Sequence, residues 1–440
     1  MFLLFVAFSS GVSAAVCRVT KTIDTNDGQC DNDCSLREAV ASLSCDTVIF
    51  PGQTFHTGAT ITLIGGEIKI NHPILIIGTG ADRLTISGNN ASRIFYVNAT
   101  ASISGFTLTG GNGGGTEAGC GGGIFASSGS SLILDGVHVT GNIATAPCFD
   151  GGGVHLLSGS HTIKNSTFSA NTGGFGSAIR IQGGSLTLVN STIANNPSGL
   201  HFGALSIFAA TASVRNCTFR GNTPGSSILL ETFADLTFGN SIIDTIANDG
   251  PSLGFGSSVG NNLITERSFF GTNVGYHPSD IFDANAPILP LQNTGGTTPT
   301  MELPSSSPAI DAGNNQLALD LPITFDQRGL RRIFDGNSDG DARIDIGAVE
   351  TGQSQPPQGA LVKGRILGTD GRPVRNAIVS VINEELDFMK TGFTNPFGHY
   401  LFHTYAGCYC TITVKAKHGT FSPVIVMVYP NQENINIFAH

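Results

Sequence analysis

The chain has 440 residues, which favours two or three structural units, one of which can be an elongated solenoid. Charged residues make up 12% of it, glycine occurs 58 times and tryptophan is absent, a balance typical of stacked β-structure, and the apolar share of 40% excludes a disordered chain. The net charge of −10, without any basic run, argues against nucleic acid or an anionic membrane as partner and fits a cation or a neutral glycan better.

The first fifteen residues have the pattern of a secretory signal. In "MFLLFVAFSSGVSAA" an apolar stretch precedes small residues, and we predict residues 1–15 to be a signal peptide cleaved near Ala14 and Ala15. The stretch is too short for a transmembrane helix, and no later segment is long and apolar enough to span a bilayer. We therefore expect an extracellular or cell-surface protein.

Nine cysteines in an exported chain indicate disulfides, and the odd number leaves at least one thiol over. The connectivity cannot be deduced from the sequence. Pairing Cys17 with Cys45 and Cys30 with Cys34 would tie the N-terminal segment to itself. Cys120 and Cys148 lie in two glycine-rich insertions that could meet.

The stretch "CDNDCSLREAV" predicts a short amphipathic helix. Ser35 and Glu38 have the spacing of a capping box, in which each side chain accepts a hydrogen bond from the other residue's backbone amide. Apolar residues recur on one face of this helix at Leu36, Ala39, Val40 and Leu43. We predict that residues 16–50 form an N-terminal cap whose helix covers the open end of the unit that follows.

Residues 100–250 repeat with a period of about 25. Units such as "HTIKNSTFSAN", "LTLVNSTIANN" and "ASVRNCTFRGN" align on Asn165, Asn190, Asn216 and Asn240, with spacings of 25, 26 and 24 residues. Apolar and polar residues alternate within each unit, which is the period of a strand. One such coil cannot bury its own apolar face, whereas coils stacked about 4.8 Å apart can. We interpret the aligned asparagines as inward-facing residues that hydrogen-bond from coil to coil.

The predicted fold class is therefore all-β. Residues 51–350 are predicted to form a right-handed parallel β-helix, a pectate-lyase-like solenoid, and the N-terminal helix caps it. A polar, proline-containing linker follows at residues 351–359. Residues 360–440 give strands joined by turns and are predicted to form a separate small β-sandwich.

Several motifs resemble known families. "CDNDCSLREAV" followed by "DTVIFP" resembles the CSLREA-type N-terminus of bacterial exported β-helix proteins. "SPAIDAGN", "DQRG" and "DIGAVE" resemble motifs of the choice-of-anchor Q proteins. This resemblance implies that the C-terminal part of the predicted solenoid, which ends at residue 350, is a closing segment. Residues 360–440 are similar to the carboxypeptidase regulatory-like, transthyretin-like β-sandwich. These resemblances imply an architecture and a surface location, and the sandwich is expected to be a spacer or binding module without catalytic residues.

Polysaccharide cleavage is the main alternative, because many right-handed β-helices are such enzymes. Hydrolysis needs two converging carboxylates, and elimination from a uronic acid needs an acid cluster with a base. The acids of the repeat region are few and do not recur at matching positions in neighbouring coils: Asp82, Asp135, Asp150, Asp235, Asp244, Asp249, Glu117 and Glu231. Candidate bases are Arg180, Arg215 and Arg220. We assign no catalytic residue, and clustering of acids with Arg180 or Arg220 in one groove would favour the enzyme.

The histidines are equally scattered. They fall in four different coils at non-equivalent positions: His138, His155, His161 and His201. Metal binding would require that they converge and are supported by further hydrogen bonds. Isolated histidines on strands are more often surface or packing residues, and we expect that role here.

A calcium loop is predicted near the end of the solenoid. In "DGNSDGDARID", Asp335, Asn337 and Asp339 have the one-three-five spacing of calcium ligands, and Asp341 and Asp345 add further acids. Ile346 stands where a bidentate acid would close such a loop, so Asp345 or Glu350 would have to substitute for it. The competing interpretation is an Asp/Gly-rich turn whose side chains bond the local backbone. A bound Ca²⁺ would be structural, and no other cofactor is expected.

The sequence thus favours a secreted or cell-surface β-helix protein without catalytic activity, with a structural or adhesive role. A carbohydrate or another surface ligand is the expected partner. The alternative function is a polysaccharide lyase or glycoside hydrolase of the pectate-lyase-like superfamily.

Overall fold

The computed structural model describes residues 16–51, 53–55, 58–198, 202–249, 254–266, 273–320, 323, 325–353, 360–383, 388–404, 409–417, 419–427 and 435–439. The predicted signal peptide, His201 and most of the predicted linker lie outside the described residues. The chain divides into two compact units, with the boundary between Thr351 and Gly352.

Three parallel sheets build the first unit. Each successive strand of a sheet comes from the next coil, so that the strands pair with one coil before and one coil after. The described strands of sheet A are Val16–Arg18, Thr47–Ile49, Ile74–Ile77, Thr100–Ser104, Ser131–Asp135, Ser160–Lys164, Ser185–Val189, Thr211–Arg215, Asp235–Gly239, Phe255–Ser258 and Val274–Gly275. Those of sheet B are Ala59–Thr62, Leu84–Ser87, Thr107–Thr109, His138–Thr140, Thr167–Ser169, Thr192–Ala194, Thr218–Arg220, Ile242–Ile243, Leu263–Ile264 and Ile281–Phe282. Those of sheet C are Ile68–Ile70, Phe95–Val97, Ile124–Ala126, Val154–Leu156, Ile179–Gln182, Gly203–Phe208, Ser226–Leu230 and Ile246–Asn248.

The alternation of the sequence explains the core. Leu134 lies opposite Ile163, and Ile163 lies opposite Leu188 on the next coil, and all three side chains are fully buried. Each fully buried aliphatic side chain contributes about 1.5–3 kcal/mol relative to exposure. The stacking of consecutive coils, rather than any single coil, therefore buries the apolar face, and the predicted parallel β-helix is confirmed.

The aligned asparagines have a different role from the predicted one. Asn165, Asn190, Asn216 and Asn240 follow the sheet A strands with φ of 51°, 48°, 53° and 50°. They occupy the left-handed region that asparagine tolerates better than most residues, in the two-residue turn from sheet A to sheet B. Asn190 Nδ2 donates to the carbonyl of Phe325 at 2.6 Å, so its side chain contacts a later segment of the chain and does not point into the coil.

A second set of asparagines forms the buried ladder. Asn142, Asn171, Asn196 and Asn222 follow the sheet B strands, and each is at most 2% exposed. The Nδ2 of each donates to the Oδ1 of the next, at 3.0, 2.9 and 3.1 Å. These are the last letters of the repeats quoted above, such as "HTIKNSTFSAN". The predicted coil-to-coil asparagine bonds are thus confirmed, but the continuous ladder lies at these positions, and of the aligned asparagines Asn190 Nδ2 donates to Asn165 Oδ1 at 3.4 Å.

The predicted N-terminal helix forms, except at one position, while Val16–Arg18 and Thr47–Ile49 of the predicted cap belong to sheet A. Helix α1 spans Leu36–Ala41, and both hydrogen bonds of the Ser35–Glu38 capping box are present. Leu43 is 80% exposed, because the helix ends at Ala41 and Leu43 does not lie on its buried face. Disulfides join Cys17 to Cys45, Cys30 to Cys34 and Cys120 to Cys148, as the sequence suggested.

Residues 297–351, the closing segment, lie across the outer face of sheet B. Gln327 accepts a hydrogen bond from Thr192 Oγ1 and donates one to Thr167 Oγ1, both at 2.7 Å. The amide of Ala348 donates to Thr218 Oγ1 at 3.0 Å. The segment also contains helix α2, Asn315–Leu319, in which Ala318 is fully buried. Three consecutive coils are thereby tied to a part of the chain that follows them by more than 100 residues.

The second unit consists of two small sheets around one core. The described strands of one sheet are His399–Thr404, Ala360–Leu367 and Ile437–Phe438. Those of the other are Phe388–Phe393, Ile378–Asn383, Tyr409–Lys415 and Val424–Met427. Val362, Val379 and Ile412 are fully buried in their shared core, which confirms the predicted β-sandwich.

Candidate functional site

Sheet C carries a row of large side chains on its outer face. Tyr96, Phe125, His155, Arg180 and Ser206 lie in register on consecutive strands, between inward-facing apolar residues. The rings of Tyr96 and Phe125 are stacked, with centroids 5.6 Å apart. These side chains point outwards, yet Phe125, His155, Arg180 and Ser206 are at most 5% exposed. The long connections from sheet B to sheet C must therefore cover most of this row.

Arg180 is the centre of a buried ionic cluster. Its Nη1 pairs with Glu231 Oε1 and bonds Ser206 Oγ at 2.5 Å, and its Nε lies 3.9 Å from Asp150 Oδ2. The guanidinium packs against the ring of Phe175 at 4.9 Å. Burial lowers the pKa of Arg180 to about 10 and raises the pKa of Asp150. Two of the scattered acids thus meet Arg180, as the enzyme alternative requires, but they do so in a buried cluster and not in an open groove of the described residues.

A second buried pair lies further along the same sheet. Arg93 is fully buried and pairs with Glu67, while its Nη2 donates to the carbonyls of Gly113 at 3.0 Å and of Glu117 and Cys120 at 2.7 Å. All these carbonyls belong to the connection between two strands. Arg93 thus fixes the covering loop, and its role is structural.

His155 is the least satisfied polar side chain of the row. It is 2% exposed, and neither ring nitrogen has a hydrogen-bond partner in the described part of the chain. Burial, together with the charge of Arg180, lowers the pKa of His155 to about 3, so the ring is neutral at physiological pH. Of the other histidines, His161 faces the core and His138 bonds Ser169 Oγ at 2.8 Å. The described histidines do not converge, as the sequence indicated.

The other candidate arginines are placed separately. Arg220 pairs at 2.6 Å with Asp244, which directly follows the neighbouring strand of sheet B, and Arg220 is partly exposed. Arg215 lies on sheet A, where its Nη1 bonds the carbonyl of Val214 at 3.0 Å. Among the described residues, the Arg180 cluster is therefore the place where acids from distant coils meet an arginine.

Sheet A presents an open face of a different character. Hydroxyl side chains form two rows on its outer side, and we call these two rows the hydroxyl face. The first row is Thr100, Ser131, Ser160, Ser185 and Thr211, and the second is Thr162, Thr187, Ser213, Thr237 and Ser257. All ten residues are exposed or half-buried. The closing segment reaches this sheet at the strand end, where Val189 packs beside Ala318.

The predicted calcium residues lie in two environments. Asp335 accepts hydrogen bonds from the amides of Asp339 and Gly340 at 3.1 and 2.8 Å, and Asn337 Oδ1 accepts one from Asp339 at 2.8 Å. Asp341 pairs with Arg343 at 2.7 Å.

Asp345 is instead fully buried, and its carboxylate accepts from the amides of Asp311 at 2.8 Å and Thr351 at 2.7 Å. The oxygen atoms of the exposed turn suit a hard cation such as Ca²⁺. Calcium binding by the five residues stays a prediction.

Comparison with known proteins identifies the fold alone. The family described as "right handed beta helix region" matches residues 122–285, which agrees with the three sheets and gives the solenoid its right-handed sense. No curated protein and no solved structure gives a significant match. In the described part of the chain, no helix has the length and apolarity needed to cross a membrane.

Proposed function

We propose that this protein is an exported, non-catalytic β-helix shaft that binds an extended neutral polysaccharide along the hydroxyl face. The three disulfides are compatible with an extracellular location. The rigid stack of coils supplies the structural part of this role.

The regularity of the hydroxyl face is the observation that supports the proposal. Neighbouring strands lie about 4.8 Å apart, and alternate residues of a strand lie about 6.7 Å apart, so the two rows repeat hydroxyl groups along the solenoid axis. An extended polysaccharide likewise repeats its hydroxyl groups from one sugar unit to the next. The ten side chains of the face are themselves uncharged, which favours a neutral glycan, and Lys164, Arg215 and Asp235 flank the two rows on the same side of the sheet. Sheet B, by contrast, is covered by the closing segment at Thr167, Thr192 and Thr218.

Two variants and one binding screen test this function. Thr187→Glu places a bulky charge in the middle of the second row, whereas Thr172→Glu places it at an exposed threonine of a sheet B to sheet C connection. We expect the wild type and Thr172→Glu to bind the same neutral polysaccharides on an array, and Thr187→Glu to bind at least ten-fold more weakly. Absence of binding by the wild type, or equal binding by both variants, would refute the role of the hydroxyl face.

A lyase or glycoside hydrolase is the second candidate function. The meeting of Asp150 and Glu231 at Arg180 favours it, since an arginine near carboxylates can act on a uronic acid. Against it, Arg180 is 5% exposed and its guanidinium is already neutralised by Glu231. Release of unsaturated or reducing ends from the same array, lost in Arg180→Ala, would establish the enzyme and overturn the non-catalytic function.

A further inference from the structure

Three buried carboxylates from two of the quoted motifs meet in the closing segment. Asp311 comes from "SPAIDAGN", and Asp345 and Glu350 come from "DIGAVE". One oxygen atom of each lies within 4.8 Å of one oxygen atom of the other two. The residues are 8%, 0% and 1% exposed.

Backbone amides hold these carboxylates in place. Asp311 accepts hydrogen bonds from the amides of Gly336 and Asn337 at 3.1 and 2.8 Å. Glu350 Oε2 accepts one from the amide of Asp345 at 3.1 Å. Glu350 Oε1, although buried, has no hydrogen-bond partner among the described residues. One buried acceptor of the cluster is thus left for a ligand.

Among the described residues, the charge of the cluster is balanced only in part. Arg332 is fully buried with its Nη1 3.7 Å from Glu350 Oε2, and it is the guanidinium that faces these carboxylates. Arg328 pairs instead with a further buried acid, Asp326, at 2.8 Å. Three carboxylates beside one guanidinium leave uncompensated negative charge in a dry site, which is costly unless a cation or a proton neutralises it.

We propose that Asp311, Asp345 and Glu350 bind one divalent cation of the calcium class. Ca²⁺ bonds oxygen at 2.3–2.6 Å, so two of its ligands lie at most about 5 Å apart, and the carboxylate separations fit a single shared ion. The donor set contains only oxygen, which disfavours zinc. The ion joins the two motifs to each other, and through Asp311 it also fixes the start of the turn at Gly336.

This site differs from the exposed turn that the sequence predicted. The two sets share Asp345, and Glu350 was the other acid that the sequence offered to close the loop, while Asn337, Asp339 and Asp341 are exposed. Protonation of Glu350 is the alternative way to neutralise the cluster, because burial and the charge of Asp345 raise the pKa of Glu350 to about 10. The experiment must therefore separate an ion in the buried cluster, an ion in the exposed turn, and no ion.

Calcium binding by the full chain tests the proposal. The wild type, Glu350→Gln, Asp311→Asn and Asp339→Asn are stripped with a chelator and titrated with Ca²⁺ in a calorimeter, with circular dichroism as a check on folding. Asp339→Asn is the matched control, because it removes one carboxylate from the exposed turn. Asp311→Asn is the second variant of the cluster, since asparagine tolerates the φ of 50° at this position.

We expect one ion per chain and a higher melting temperature with Ca²⁺ in the wild type and in Asp339→Asn. In the two cluster variants we expect affinity to fall at least ten-fold and the calcium-dependent rise to disappear. The proposal is overturned if the wild type binds no Ca²⁺ at millimolar concentration, or if Glu350→Gln and Asp311→Asn bind as well as the wild type. Neither result depends on polysaccharide binding, so the two proposals fail separately.

Discussion

Replacement of Asn196 by alanine should destabilise the β-helix more than any surface substitution. Asn196 is fully buried, and its Oδ1 accepts from the amide and the Nδ2 of Asn171 at 3.1 and 2.9 Å. Its Nδ2 donates to the carbonyl of Phe168 at 2.9 Å and to Asn222 Oδ1 at 3.1 Å. The alanine variant therefore removes the partner of two buried backbone groups, the amide of Asn171 and the carbonyl of Phe168.

The magnitude follows from the cost of orphaned polar groups. A buried donor or acceptor that loses its partner costs about 1–3 kcal/mol, so we expect the free energy of unfolding to fall by about 2–6 kcal/mol. Urea denaturation followed by circular dichroism measures it, with Asn285→Ala as control. Asn285 is exposed, and its substitution should change the free energy by no more than about 0.5 kcal/mol. If Asn196→Ala lowers stability by less than about 1 kcal/mol, the ladder is not a stabilising feature of the fold.

Further predictions concern the cap, a disulfide, the ionic cluster and pH. Ser35→Ala removes half of the capping box and should cost about 0.5–2 kcal/mol in urea denaturation, and an unchanged midpoint would contradict the capping role. Cys120→Ser removes the disulfide to Cys148, 28 residues away, and should lower the free energy of unfolding by about 3–4 kcal/mol in the same assay. A wild type that is equally stable with its disulfides oxidised and reduced would contradict this prediction. Glu231→Gln removes the nearer of the two carboxylates beside the buried Arg180 guanidinium, leaving Asp150 at 3.9 Å, and should lower the free energy of unfolding by up to about 3–5 kcal/mol, whereas an unchanged free energy would mean that water reaches the pair. The pKa of His155 falls from 6.5 to about 3 on folding, so protonation favours the unfolded chain as the pH drops below 6.5. Between pH 7.5 and pH 5 this protonation should lower the free energy of unfolding of the wild type by about 2 kcal/mol. The His155→Phe variant should not show this loss when unfolding is measured at the same two pH values.

The sequence predicts those features that depend on local spacing. The strand alternation, the capping box at Ser35 and the short disulfide between Cys30 and Cys34 are all set within a few residues, and the structure confirms each of them. Leu43 is the local exception, since the periodicity continues past the point at which the backbone leaves the helix. Spacing alone also could not tell a left-handed turn position such as Asn165 from a ladder position such as Asn171.

The ionic clusters could not be predicted, because they depend on how coils of unequal length come into register. Arg180 and Glu231 are 51 residues apart, and Arg93 and Glu67 are 26 apart. Loops of different length separate the strands, so a count of residues along the chain does not place these side chains on one face. Asp311 belongs to the motif "SPAIDAGN", but the carboxylates that lie near it in the structure follow it by 34 residues or more. The motif alone therefore does not reveal which acids Asp311 meets.

The closing segment also sets the order in which the molecule can be completed during its synthesis. A solenoid held together by neighbouring coils alone can form coil by coil as the chain emerges. In this protein the hydrogen bond between Gln327 and Thr167 can form only after the 160 residues that separate them have been synthesised. At 5–20 residues per second this synthesis takes about 8–32 s. Throughout that interval the hydroxyl groups of Thr167, Thr192 and Thr218 lack the partners that Gln327 and Ala348 supply in the finished protein. A nascent or truncated chain that ends before Gln327 therefore exposes part of the outer face of sheet B that the closing segment covers in the finished protein.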